Sequence, residues 1–125
     1  DGAGPFLLAR GAADVVLIGA DRVAANGDTA NKIGSYSLAL GAARAGVPFL
    51  VVAPESTVDM ATPGGGHIEI EDRGAAEVVT WGGVATAPPG TAAVNPAFDV
   101  TPVDLITALV TDRRVVRFDQ GQTLT

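Results

Sequence analysis

The chain contains no cysteine, one histidine and a single lysine among 125 residues. Without thiols there can be no disulfide, no thiolate metal site and no cysteine nucleophile within these residues. A zinc site would have to rest almost wholly on carboxylates, a poor donor set for that ion. Eight basic residues stand against fourteen acidic ones and form no block, so a net charge of −6 argues against a nucleic-acid surface. No apolar run approaches the roughly 18 residues that cross a bilayer, which excludes a transmembrane helix. The opening DGAGPFLLARG has no basic region leading into an apolar one, so no signal peptide is expected. It also lacks an initiator Met, which reads as a fragment or a processed chain.

What is present is an apolar chain, 47% hydrophobic, long enough to bury the core of one domain. Pro5 to Arg10 reads as a short helix, with proline in its first turn and Gly11 as its stop. DVVLIGA (14–20) is β-branched and apolar without alternation, as in a parallel strand covered on both faces. From about Asn31 to Ala45, Ile33, Tyr36, Leu40 and Ala43 recur at helical spacing, and Gly46 closes that helix. VPFLVVA (47–53) is a second buried strand. Residues 14–53 therefore form a strand, loop, helix, strand unit, a right-handed crossover in a parallel sheet. Downstream, IEIE (68–71) alternates like a short exposed strand, and EVVTWGG (77–83) suggests another. The segment ATAPPGTAAVNPAFDVTP is too punctuated by Pro and Gly for a long regular element. Thr101 and Pro102 cap a helix running to about Val110, and RVVRF (114–118) pairs as a last strand.

The polar residues concentrate where the first strand ends. GADRVAANGDTANK (19–32) holds Asp21, Arg22, Asn26, Asp28, Asn31 and Lys32, and ligands of open parallel sheets bind beyond such strand ends. Asp21, just past an apolar strand, is expected to be partly desolvated, a carboxyl usable as proton donor and acceptor. A turn-capping aspartate is the equally weighted alternative. Asn31 and Lys32 open the expected helix, whose free N–H groups make an anion site. A lysine there opposes the helix dipole unless an anion is bound, which points to phosphate. A solvated surface lysine is the plain alternative, and no Walker or dinucleotide fingerprint is present. Ser56, Thr57 and Asp59 read as a local turn and cap, and His67 as an exposed loop residue. Glu69, Glu71, Asp72 and Arg73 read as a solvated face with a local ion pair. Asn95 and Asp99 are expected to bond to backbone, with Phe98 anchoring their loop.

The stretch GADRVAANGDTANKIGSYSLAL closely resembles the signature of the methylthioribose-1-phosphate isomerase family. PFLVVAPESTVD, IEIEDR and NPAFDVTPVDLITALVTD follow in that family's order, so the match covers about residues 14–112. The resemblance implies a Rossmann-like α/β fold, with a parallel sheet and flanking helices. It implies an aldose-to-ketose isomerase acting on 5-methylthioribose 1-phosphate in methionine salvage, with Asp21 as catalytic proton donor and Asn31 with Lys32 binding the sugar phosphate. No metal or organic cofactor is needed, and no nucleic acid or membrane partner is implied. A cytoplasmic homodimer is expected for the full-length enzyme. The same superfamily holds ribose-1,5-bisphosphate isomerases and non-catalytic regulatory subunits of the initiation-factor exchange complex; the latter typically lose the Asp kept here as Asp21. Ser35 stands where the family usually has Thr, and the glycines before His67 depart from its usual loop. The family's N-terminal domain and its catalytic Cys lie outside these residues. The chain therefore reads as a C-terminal part, with 1–118 completing an α/β domain, 119–125 a disordered tail, and no activity alone.

Overall fold

The computed structural model describes residues 2–125. Helix α1 (Gly4–Ala9) starts with Pro5 in its first turn and ends before Gly11, whose φ of 72° turns the chain out of the helix. β1 (Val16–Ile18), a hairpin, α2 (Ser35–Ala45) and β4 (Phe49–Val52) follow, with Gly46 closing α2 at φ 71°. The hairpin strands are β2 (Arg22–Ala24) and β3 (Thr29–Lys32). β1 pairs parallel with β4, Leu17 opposite Leu50, and β4 pairs parallel with β9 (Ala108–Val110). β10 (Val115–Arg117) closes this sheet antiparallel to β9, giving the order β1-β4-β9-β10. The sheet and its helices are the α/β architecture expected.

A second sheet grows from the ends of the first. Its order is β5-β2-β3-β8, with β5 (Val58–Asp59) parallel to β2, and β8 (Phe98–Thr101) antiparallel to β3. The expected loop after the first strand is thus a β-hairpin, and two expectations change with it. Asn31 and Lys32 are not in a helix: they close β3, where Asn31 faces Asp99 and Lys32 faces Phe98 in register. The expected helix over 101–110 is absent as well. Thr101 ends β8, a single 3-10 turn spans Val103–Leu105, and Ala108–Val110 is the β9 strand. Ile106, Thr107 and Val110 favour extended backbone, and pairing with β4 outweighs the capping signal at Thr101-Pro102. IEIE at 68–71 joins no ladder; the adjacent bridge is Asp72 to Pro96. EVVTWGG divides into a short helix α3 (Ala76–Val79) and a small hairpin of β6 (Thr80–Trp81) with β7 (Val84–Ala85).

The core lies between the first sheet and the helices. Phe49, Val51 and Leu109 are at most 1% exposed and pack with Ala39 and Ala42 of α2, Leu8 of α1 and Ile106. Each large side chain buried this way contributes about 1.5–3 kcal/mol. Small residues let the helices meet: a Cβ on Gly41 would lie 3.1 Å from Pro5 Cα. The sheet's other face is open among the described residues, against the expectation of strands covered on both sides. Leu17 is 61% exposed, with Val52 and Val115 on the same face. The tail, expected to be disordered from Asp119, packs instead. Leu124 is 5% exposed, and its carbonyl accepts a hydrogen bond from Arg114 at 2.8 Å while Arg114 also pairs with Glu55 at 2.8 Å. A single buried leucine and this ion-paired arginine supply what the polar tail sequence concealed.

Candidate active site

The β2–β3 hairpin sets the geometry. β1 delivers the chain through Gly19 and Ala20 to Asp21, whose N–H donates to the Ala30 carbonyl at 2.8 Å. That bond places Asp21 across from Asn31 at the open end of the hairpin. Asp21 is exposed in this chain, not desolvated as its position suggested. It lines a groove of about 490 Å³ together with Arg22, Glu69, Glu71 and Asp72. Asn31 and Lys32 line a neighbouring pocket of about 520 Å³, walled by Ile18, Pro5, Ser35 and Ser37. The three expected site residues are therefore neighbours along one hairpin but face two adjoining spaces. Carboxylates on the Asp21 side repel an anion, and the chain's one lysine lines the other space.

The start of α2 is not the open anion site expected. Its cap, Gly34, has φ 107°, and the Asp99 carboxylate accepts the N–H groups of Gly34 at 2.9 Å and Tyr36 at 3.2 Å. An acidic side chain thus already meets the positive end of the helix dipole. Asp99, expected to bond to backbone and either shape a pocket or hold its turn, ties β8 to the segment that carries Asn31 and Lys32. Ser35 adds local bonds, accepting from Asn31 Nδ2 at 3.1 Å and donating to the Lys32 carbonyl at 2.8 Å.

Asp28 is the residue that sequence reasoning left without a role. Burial pushes its carboxyl up. The Gly65 N–H at 3.0 Å, the Asn26 side-chain amide at 3.0 Å and the Val103 N–H at 2.9 Å outweigh this and hold it below the usual carboxylate range. It fastens the hairpin turn to the glycine loop and to the turn after β8. The only available signal was an Asn-Gly-Asp turn, which does not reveal partners 37 and 75 residues away. Asp59 accepts Ala61 N–H and the Thr62 hydroxyl and pairs with Arg22 at 3.6 Å, a local cap as expected. His67 is exposed, and Arg73 pairs with Glu77 at 2.9 Å. Among the described residues no cluster of three His or carboxylate side chains could hold a metal, and no helix is long and apolar enough to cross a membrane.

Residues 1–117 match the profile of the Initiation factor 2 subunit family. The chain belongs to that family. Within it, the chain is 59% identical over 117 residues to a methylthioribose-1-phosphate isomerase from Anaeromyxobacter sp. (strain K), covering 94% of this chain and 34% of the relative. The structure of 5-methylthioribose 1-phosphate isomerase from Pyrococcus horikoshii OT3 superposes with TM-score 0.85 at 49% identity, over 92% of this chain and 32% of that one. Subunit delta of the translation initiation factor eIF-2B from A. fulgidus superposes with TM-score 0.83 at 34% identity, over 91% and 33% of the two chains. The chain spans about a third of the length of such relatives. The fold of this family member is thus shared between proteins named as enzymes and as initiation-factor subunits.

Proposed function

We propose that this chain forms the C-terminal part of an isomerase converting 5-methylthioribose 1-phosphate to 5-methylthioribulose 1-phosphate, in methionine salvage, and carries one half of its site. One observation supports this above others: Asp21, Asn31 and Lys32 leave the same end of one hairpin, carboxyl on one side and cation on the other. The reaction moves the hydrogen of C2 to C1, and the proton of the C2 hydroxyl ends on the former ring oxygen. Asp21, as the acid, gives a proton to the ring oxygen as its bond to C1 breaks, and regains one from the C2 hydroxyl. Lys32 holds the phosphate and Asn31 the sugar. The complete protein is read as a cytoplasmic homodimer without metal or organic cofactor, and the 125 residues alone as silent.

The test replaces the aligned third of the Anaeromyxobacter enzyme with residues 1–117 and follows conversion of the sugar phosphate by phosphorus NMR. The graft should turn over, and Asp21→Asn should lower kcat by roughly a hundred- to ten-thousand-fold while leaving the melting curve intact. A graft whose Asp21→Asn variant keeps its rate removes the catalytic role. The A. fulgidus likeness favours a second reading, a non-catalytic regulatory subunit; a folded graft that binds but never converts the substrate would favour it. Conversion of ribose 1,5-bisphosphate in preference to the thio sugar would reassign the substrate.

A further inference from the structure

Ser35 is 6% exposed, opens α2 and lines the same pocket as Asn31 and Lys32. Its two hydrogen bonds together fix an atom assignment. Oγ donates to the Lys32 carbonyl at 2.8 Å, and a hydroxyl has only one proton to give. Toward the Asn31 side chain, 3.1 Å away, Oγ can then only accept. Asn31 must present Nδ2 to Ser35, which turns its Oδ1 away from the helix. The choice between the two amide orientations, ordinarily a matter of assignment, is settled here by counting protons.

We infer that Ser35 is a positioning residue that orients the Asn31 amide, so that Asn31 offers a hydrogen-bond acceptor to the pocket that Lys32 also lines. An acceptor repels a phosphate oxygen and attracts a hydroxyl. The two neighbours therefore divide the ligand, Lys32 taking the phosphate and Asn31 Oδ1 a hydroxyl of the same molecule. A sugar phosphate uses both groups; inorganic phosphate uses one. The inference rests on the proposed substrate-binding role of Asn31 and Lys32, and it adds the orientation and the residue that imposes it. Asp99 supports the same arrangement from below by holding the N–H groups on either side of Ser35.

The first test uses the 125-residue chain itself. The Asn31 side-chain NH₂ protons should exchange with solvent more slowly than those of Asn26, whose bond to Asp28 is exposed. Ser35→Ala should abolish that protection and Ser35→Thr should keep it. Protection unchanged in Ser35→Ala overturns the inference, whatever the chain's function. The second test uses the full-length graft and its sugar phosphate substrate. Ser35→Ala should raise KM about tenfold with kcat nearly unchanged, less than the hundredfold cost of a 1 Å misplacement. Ser35→Thr should restore it. Adding Ser35→Ala to Asn31→Ala should raise KM no further, because the two act as one unit. A tenfold rise that persists in the Asn31→Ala background means Ser35 acts on the fold alone, and the inference falls while the substrate role of Asn31 stands. If Asn31→Ala leaves KM unchanged, the underlying reading of Asn31 falls first. Far-UV circular-dichroism melts on every variant separate these outcomes from loss of folding.

Discussion

Asp28 gathers two backbone N–H groups and one side-chain amide on a single carboxylate. Its folded-state pKa lies below its unfolded one, near 3.9 for a free aspartate. The resulting stability is fully present above the unfolded value and is lost as pH falls through the folded one. Asp28→Asn replaces an accepting oxygen by a donor facing donors. We expect a loss of about 1.5–3 kcal/mol at pH 7, the scale of hydrogen bonds to a charged group. Urea unfolding at pH 7 and pH 3 checks this: the gap between parent and variant should narrow at the lower pH. A gap independent of pH would show that shape, not charge, holds these loops. Asp21 and Asp28 lie seven residues apart in one polar stretch, yet only structure separates a residue facing solvent from a clamp. Sequence marked the stretch; it could not sort its members, because Gly65 and Val103 reach Asp28 from distant segments.

At the scale of elements, the hairpin turn depends on Gly27. Its φ is 97°, and an added Cβ would stand 2.6 Å from Val103 Cγ2 and 2.9 Å from Phe118 Cζ. Gly27→Ala is expected to cost roughly 1–2 kcal/mol for the left-handed backbone and a further 1–3 kcal/mol for overpacking. Gly82 also has positive φ, 57°, but open space around it, so Gly82→Ala should cost only the backbone part. Equal losses in chemical denaturation would refute the crowding. The β1, α2 and β4 elements were legible because each carries its own local pattern: β-branched runs, apolar helical spacing and Gly46 as a stop. β3 was not. Thr29-Ala30-Asn31-Lys32 has neither alternation nor bulk, and it is extended because β8, about 70 residues on, pairs with it. The helical spacing of Ile33 and Tyr36 then drew the helix start back over Asn31 and Lys32. The same distant pairing explains 106–110, where β4 turns an apolar segment into a strand. Position past the first strand marked Asp21, Asn31 and Lys32 as candidates and the resemblance suggested their roles; that Asn31 and Lys32 close a hairpin strand came from structure.

At the scale of the whole molecule, the first sheet has, among the described residues, one covered face and one open face. Leu17, Val52 and Val115 leave an apolar surface beside an edge of β1 that is unpaired among the described residues, a combination that favours association. The 125-residue chain should sediment as more than a monomer at tens of micromolar, on the order used for such measurements. Leu17→Lys should shift it toward monomer while its melting temperature stays close to the parent's, since an exposed substitution changes stability by about 0.5 kcal/mol or less. An unchanged distribution would show that association, if any, uses another surface. The small β6–β7 hairpin has a different consequence. It carries Trp81, the chain's one tryptophan, 83% exposed and not part of the buried cluster. Its indole is already surrounded by water in the native state, so its emission colour can change little when the core unfolds. Tryptophan fluorescence is therefore nearly blind to global denaturation of this protein. The same indole would move to the blue only when something covers the hairpin, which makes it a built-in reporter of contact rather than of folding.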